Sequence, residues 1–305
     1  MNDNARPSGS STVADVPTPS AEPKSPLPGT DNYTTVHAKK AVSHSPESKV
    51  ASDRPTKDLR GKIFTVPVDA EHKATTLPIL SCAVPHMRAF HASWFGFFST
   101  FFSTFAPAPL APILKQKNTL GLQRSQLQLG NLASVTSNIV CRFLMGLVCD
   151  KVGARKGLAL VLLFTCPGII GLACVQDATG FIACRAIIGV GLASFVCCQV
   201  WCTQQFSKSI VGVANATAGG WGNLGGGITN LCMPFVFTMF LGMTSNDNED
   251  LAWRLCMLVP LVLHLCGAAF ALSGRDLPDG NYAELEASTA FYCLPRPFVT
   301  FQGLA

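Results

Sequence analysis

The run Ala218-Gly219-Gly220-Trp221-Gly222-Asn223-Leu224-Gly225-Gly226-Gly227-Ile228-Thr229-Asn230 decides how this chain is built. Six of the nine residues 219–227 are glycine. In a helix exposed to water each would be about 1 kcal/mol worse than alanine. Yet the run lies inside 211–240, a stretch without a charged side chain. That stretch is long enough to cross a bilayer, which takes about 20 residues. Inside a helical bundle, absent Cβ atoms let backbones approach closely. Pro234 predicts a bend whose freed backbone groups are satisfied by neighbouring helices.

The same character extends on both sides. Five further apolar stretches, 90–114, 130–149, 157–175, 179–199 and 253–272, are of membrane-crossing length. Between Phe90 and Ser273 the only acidic residues are Asp150, Asp177, Asp247, Glu249 and Asp250. Charged residues make up 13% of the chain against 48% apolar, about half the charge usual in soluble domains. Residues 1–85 differ: they mix proline, serine and charge, with few large apolar side chains to offset chain entropy. The expected organisation is therefore a disordered cytoplasmic leader over 1–85, six transmembrane helices over 86–275 and a tail or shortened linker over 276–305. Fold class is all-α membrane protein. Placing the N-terminus inside gives the inner face Arg88, Lys151, Arg155, Lys156, Lys208 and Arg275, against Lys115, Lys117, Arg124 and Arg254 outside. The excess favours that orientation weakly.

Net charge is +5 and dispersed, which excludes a nucleic-acid binder. The thirteen cysteines form no paired CxxC and no cysteine–histidine set at zinc spacing, so they read as small buried apolar residues. No nucleophile–base or metal constellation appears, so no enzyme, cofactor or metal is expected. His91 and His264 read as structural.

Arg142 is the residue hardest to place in lipid, because a guanidinium stays charged there. Asn131, Ser134, Asn138 and Arg142 recur at helical spacing and make one polar stripe, opposite Leu132, Ile139, Phe143 and Leu147. No acidic side chain in the six stretches offers a counter-ion. Two readings stand: Arg142 holds a planar oxyanion through its two-pronged donor edge, or it bonds backbone carbonyls as a structural arginine. Asn223 similarly either donates its amide to an anion or sits at a tight helix crossing. Phe195, on composition, is packing.

Gly146-Leu147-Val148-Cys149-Asp150-Lys151-Val152-Gly153-Ala154-Arg155-Lys156 has the spacing of the loop motif between helices 2 and 3 of the major facilitator superfamily, and Arg185 with Gly189 resembles that superfamily's helix-4 motif. The glycine-rich run AGGWGNLGGGIT resembles the signature of its nitrate/nitrite porter branch. Residues 88–113, residues 194–201 (SFVCCQVW) and residues 274–281 (GRDLPDGN) are similar to the first helix, the fourth helix and the segment after helix 6 of plant and algal high-affinity nitrate transporters. The resemblance covers about residues 86–286.

It implies a six-helix N-terminal half of a twelve-helix transporter working by alternating access. Arg142 falls on the anion-clamping arginine, Phe195 on an aromatic stacked against the flat anion and Asn223 on the signature asparagine. Gly219, Gly220 and Gly222 would shape the site. Gly146, Asp150, Lys151, Gly153, Arg155 and Lys156 would latch helix ends on the cytoplasmic side, with Lys151 and Ala154 replacing customary basic residues. Arg185 and Gly189 would serve gating. Implied partners are nitrate or nitrite, H+ or Na+ as coupling ion, the bilayer of the plasma membrane, and a C-terminal half or accessory membrane protein. Other outcomes of the same sequence are a transport-incompetent regulatory subunit and a carrier of another small anion or organic solute.

Overall fold

The computed structural model describes residues 57, 61, 63–244 and 248–281; the expectations for the rest of 1–62 and for 282–305 lie outside them. The described helices are α1 His86–Phe105, the single turn α2 Ala111–Leu114, α3 Arg124–Val152, α4 Ala154–Cys174, α5 Ala178–Val190, α6 Ser194–Gln205, α7 Val211–Met243, α8 Glu249–Cys256 and α9 Leu258–Leu272. A 3-10 turn at Gly191–Ala193 joins α5 to α6, making one rod over Ala178–Gln205, and α8 with α9 forms another over Glu249–Leu272. Five rods among the described residues are long and apolar enough to cross a membrane: α3, α4, α5–α6, α7 and α8–α9.

The sixth membrane-length helix, α1, earns its place by burial instead. Its 20 residues include five hydroxyl side chains and two histidines, which hold down its hydropathy. Thirteen of the 20 are buried, because α1 runs against α7, α6, α9 and α4 at once. Ser93, Ser99 and Thr100 hand their protons back to their own helix, to the carbonyls of Phe90, Phe95 and Phe97, each at 2.8 Å. A helix can thus carry several hydroxyls and still fill the middle of an apolar bundle.

Local chemistry fixes the breaks. Gly153 ends α3 and starts α4 at φ +89°, a conformation that side chains disfavour, so two long rods fold back through one residue. Gln123 and Gln126 form a reciprocal capping box at the start of α3. Asp177 caps α5 through the Gly180 amide, and Asn248 caps α8 through the Leu251 amide at 3.1 Å. Pro167 and Pro234 lie inside α4 and α7, and α7 continues through Pro234.

Residues 63–85 depart from the disordered-leader reading. Val68 and Ala74 bridge to each other, and Ala74 bridges onward to Phe206. The Ala74 amide donates to the Gln205 carbonyl at 3.0 Å, and the Ser207 amide to the Ala74 carbonyl at 2.9 Å. Val66 and Ala74 are buried against Phe90 and Phe206. His72 Nδ1 meets Asp279 Oδ1 at 2.6 Å. Composition missed this strap because it buries a few residues onto the bundle rather than forming a core of its own.

Candidate anion site

Arg142 projects from α3 into an exposed position, ten residues before the helix ends at Val152. One turn earlier, Asn138 accepts its Nε–H at 3.1 Å. The guanidinium lies over the Phe195 ring, 5.2 Å from Cζ to centroid, a cation–π distance. Phe195 in turn packs on Phe97 of α1, ring centroids 5.2 Å apart. With Nε committed to Asn138, the terminal amino groups are the edge left for a planar acceptor. The ring that the resemblance gives to the anion therefore supports the arginine.

Helix α7 brings its glycines to the same place. A Cβ on Gly219 would stand 3.7 Å from the Phe195 ring and 3.4 Å from the Gln199 amide nitrogen. Asn223 is one turn further on the same face, exposed. Gln199, which the sequence reading passed over, donates to the Asn215 carbonyl at 3.3 Å; its only sequence signal was lying four residues from Phe195. Arg142, Phe195 and Gly219 are thus brought together, with Asn223 on the adjoining turn.

The other glycines part ways. A Cβ on Gly222 would overlap the Phe97 ring, so Gly222 is a contact of α7 with α1. Gly220 has no such neighbour: an added Cβ meets nothing within 4 Å. Gly220 and Gly222 do not share one face, because the two lie about 200° apart around the helix.

The polar stripe of α3 also divides. Ser134 is buried, and Asn131, though exposed, is bonded from α5. Arg185, buried, donates from Nη2 to Asn131 Oδ1 at 3.0 Å and from Nη1 to the Thr104 carbonyl. One turn along, a Cβ on Gly189 would overlap the Ser134 carbonyl. Arg185 and Gly189 therefore tie α3, α5 and α1 together, while Asn138 is half-buried and Arg142 exposed.

In the loop run, Asp150, Lys151 and Lys156 are exposed, and a Cβ on Gly146 meets nothing within 4 Å. Arg155 makes the specific contacts. Its Nη1 donates to the Leu272 carbonyl at 3.0 Å, and its Nε lies 3.5 Å from Asp276 Oδ2. Asp276 is fully buried. Burial raises its carboxyl above the ordinary value, and the attraction of Arg155 and Lys156 only partly reverses this. Among the described residues no cluster of histidine, cysteine and carboxylates is arranged to hold a metal ion.

A bundle of membrane-length helices with a glycine hinge between α3 and α4, and with α5 clamped to α3 by Arg185 and Gly189, defines a class. The sequence profile described as Major Facilitator Superfamily matches residues 93–302: the chain belongs to that superfamily and is an integral membrane protein. Within it, the chain is similar to High affinity nitrate transporter 2.5 of Arabidopsis thaliana, 43% identical over 226 residues, 74% of this chain and 44% of that protein. It is 40% identical over 232 residues to Nitrate transporter 2.1 of Chlamydomonas reinhardtii, 75% of this chain and 42% of that protein. It is 27% identical over 198 residues to Nitrate/nitrite transporter NrtP of Nostoc punctiforme, 64% of this chain and 38% of that protein. The chain spans less than half the length of these relatives.

Proposed function

We propose that this chain forms one half of a transporter that moves nitrate, and nitrite by the same clamp, across the plasma membrane by alternating access coupled to a proton. The observation that carries the reading is Arg142, held over Phe195 at 5.2 Å with its Nε taken by Asn138. A planar cation fixed in this way presents two parallel donors to a planar anion. Gly219 keeps α7 low beside the ring, and Asn223 supplies an amide from the next turn. The Arabidopsis and Chlamydomonas relatives carry nitrate in their names, which supports the same substrate here.

A single Arg142 is half a clamp. In this architecture the substrate lies between two repeats. Helices α3 and α7 have the least buried apolar windows, at 17% and 22%, where α4 has 56%. Leu132, Ile139 and Phe143 on α3 and Leu231, Phe235 and Met239 on α7 stand open. These faces are where a six-helix C-terminal half, or an accessory membrane protein, would pack, with the N-terminus on the cytoplasmic side. Arg155 and Asp276 would then hold the inner helix ends during the rocking motion. The test is uptake of isotopically labelled nitrate by proteoliposomes containing this chain and a matching second half. Arg142→Gln should abolish it. Unchanged saturable uptake in Arg142→Gln would leave Arg142 as a structural residue.

A further inference from the structure

Away from Arg142, a set of fully buried polar side chains lies between α1, α4 and α9. His264 of α9, Thr165 of α4, Ser99 and Thr100 of α1 and Ser194 of α6 are each 0% exposed, and Ser103 is 1% exposed. The histidine ring is bonded at both nitrogens. Nδ1 lies 3.1 Å from the Leu162 carbonyl and 2.9 Å from Thr165 Oγ1, and Nε2 lies 2.9 Å from Ser103 Oγ.

Following the protons shows what this cage accepts. Thr165 gives its hydroxyl proton to its own helix, at the Val161 or Leu162 carbonyl. Its oxygen therefore faces Nδ1 as an acceptor, as the Leu162 carbonyl must. Nδ1 carries a hydrogen in every state. Ser103 has two choices 2.9 and 3.0 Å away: it donates to Nε2, or to the Thr100 carbonyl while its oxygen accepts from Nε2–H. The first arrangement satisfies a neutral ring and the second a doubly protonated one. Only the Ser103 hydroxyl rotates between them, and no buried polar group loses its partner.

The same helix leads to the anion groove. The Thr100 hydroxyl lies 2.8 Å from the Ser194 hydroxyl and donates to the Phe97 carbonyl at 2.8 Å. Ser194 adjoins Phe195, and the Phe97 ring packs on it. Thr165, the Leu162 carbonyl and Ser103, which bond the His264 ring, are uncharged. The titratable groups on the packed elements are His86, Arg88 and His91 of α1, at its first turns. On α4 they are Arg155 and Lys156 at the start and Cys166 and Cys174 further on. Cys256, Arg254, Asp250 and Glu249 lie on α8 and Cys266 on α9. Arg185 of α5 reaches α1 at the Thr104 carbonyl, one residue beyond Ser103. A carboxylate to neutralise an imidazolium is not among the ring's partners, which leaves a bound anion as the negative charge that would favour protonation.

We propose that His264 is a reversible proton-binding site of the bundle, loaded with the anion and connected to it through Ser103, Thr100 and Ser194. This rests on the anion reading of Arg142 for the coupling, and on the cage alone for the proton. The test is nitrogen NMR of the chain, labelled with 15N-histidine and held in lipid nanodiscs, over a pH series with and without sodium nitrate against sodium gluconate. His264→Gln assigns the signal; Ser103→Ala assigns it independently if that variant misfolds. A ring that gains a second proton within the pH series, at a midpoint raised by nitrate in the wild type but not in Arg142→Gln, is the expected result. Reciprocity requires nitrate to bind more tightly at the lower pH by the same factor. A ring neutral throughout would overturn the proton site. Titration indifferent to nitrate, in a chain that binds nitrate, would overturn the coupling. Titration in a chain that binds no nitrate would overturn the anion reading and leave the proton site standing.

Discussion

Glycines in one helix should respond in opposite directions to the same methyl group. Gly220→Ala and Gly227→Ala add a Cβ that meets nothing within 4 Å. Each should stabilise the chain by up to about 1 kcal/mol through helix propensity. In Gly222→Ala the Cβ runs into the Phe97 ring, with Cγ at 2.7 Å and Cε1 at 2.8 Å. That ring is buried and wedged between Phe101 at 4.9 Å and Phe195 at 5.2 Å, centroid to centroid, so it cannot swing clear. Overpacking of this kind costs about 1–3 kcal/mol. Gly225→Ala is worse placed, since its Cβ would overlap the Phe98 carbonyl and lie 3.2 Å from the Phe102 amide nitrogen. Backbone atoms do not rotate away, so α1 and α7 must separate, and the loss should reach about 3 kcal/mol or more. The assay is reversible unfolding of the purified chain by sodium dodecyl sulfate in mixed micelles, followed by circular dichroism. Equal losses at all four positions, or a larger loss at Gly220 than at Gly225, would refute the packing of α7 on α1 described here.

Three further outcomes follow. Because burial holds the Asp276 carboxyl above its ordinary 3.8, the folded state binds the proton more tightly than the unfolded state, so stability falls as pH rises from 3.8 through the folded value; Asp276→Asn should flatten that slope in pH-dependent unfolding. Ala74→Asp puts a charge where no exposed surface exists and should release the strap, read as faster proteolysis within 63–85 without loss of helical content. The chain reconstituted alone should show no saturable nitrate uptake, and a matching C-terminal half should restore some; robust uptake by the chain alone would require a transporter assembled from copies of this half.

The sequence made the helical rods legible because apolar length and charge depletion are local properties. It announced α7 through its glycines and the α3–α4 reversal through Gly153. What it left open depends on which helix faces which. Asn131, Ser134, Asn138 and Arg142 share one face of α3. Only the crossing of Gly189 against Ser134, more than 50 positions away in the chain, buries Ser134, and only Arg185 ties Asn131 to α5, while Arg142 is left exposed. Gly220 and Gly222 are the same residue type two positions apart, and the position of Phe97 alone separates them. His264 read as a structural histidine because its partners come from α1 and α4, about 100 residues or more distant. Residues 63–85 were misjudged because docking needs only a few buried side chains and two backbone bonds, too little to mark a composition.

The most direct measurement of the central claim is nitrate binding to the chain in nanodiscs, by calorimetry or by displacement of labelled nitrate, for wild type, Arg142→Lys and Arg142→Gln. Loss of one charged hydrogen-bonding partner is worth about 1.5–3 kcal/mol, so Arg142→Lys should weaken binding by about one to two orders of magnitude, and Arg142→Gln should remove saturation while leaving the helical content unchanged. Nitrate affinity that is the same in all three proteins would contradict the account.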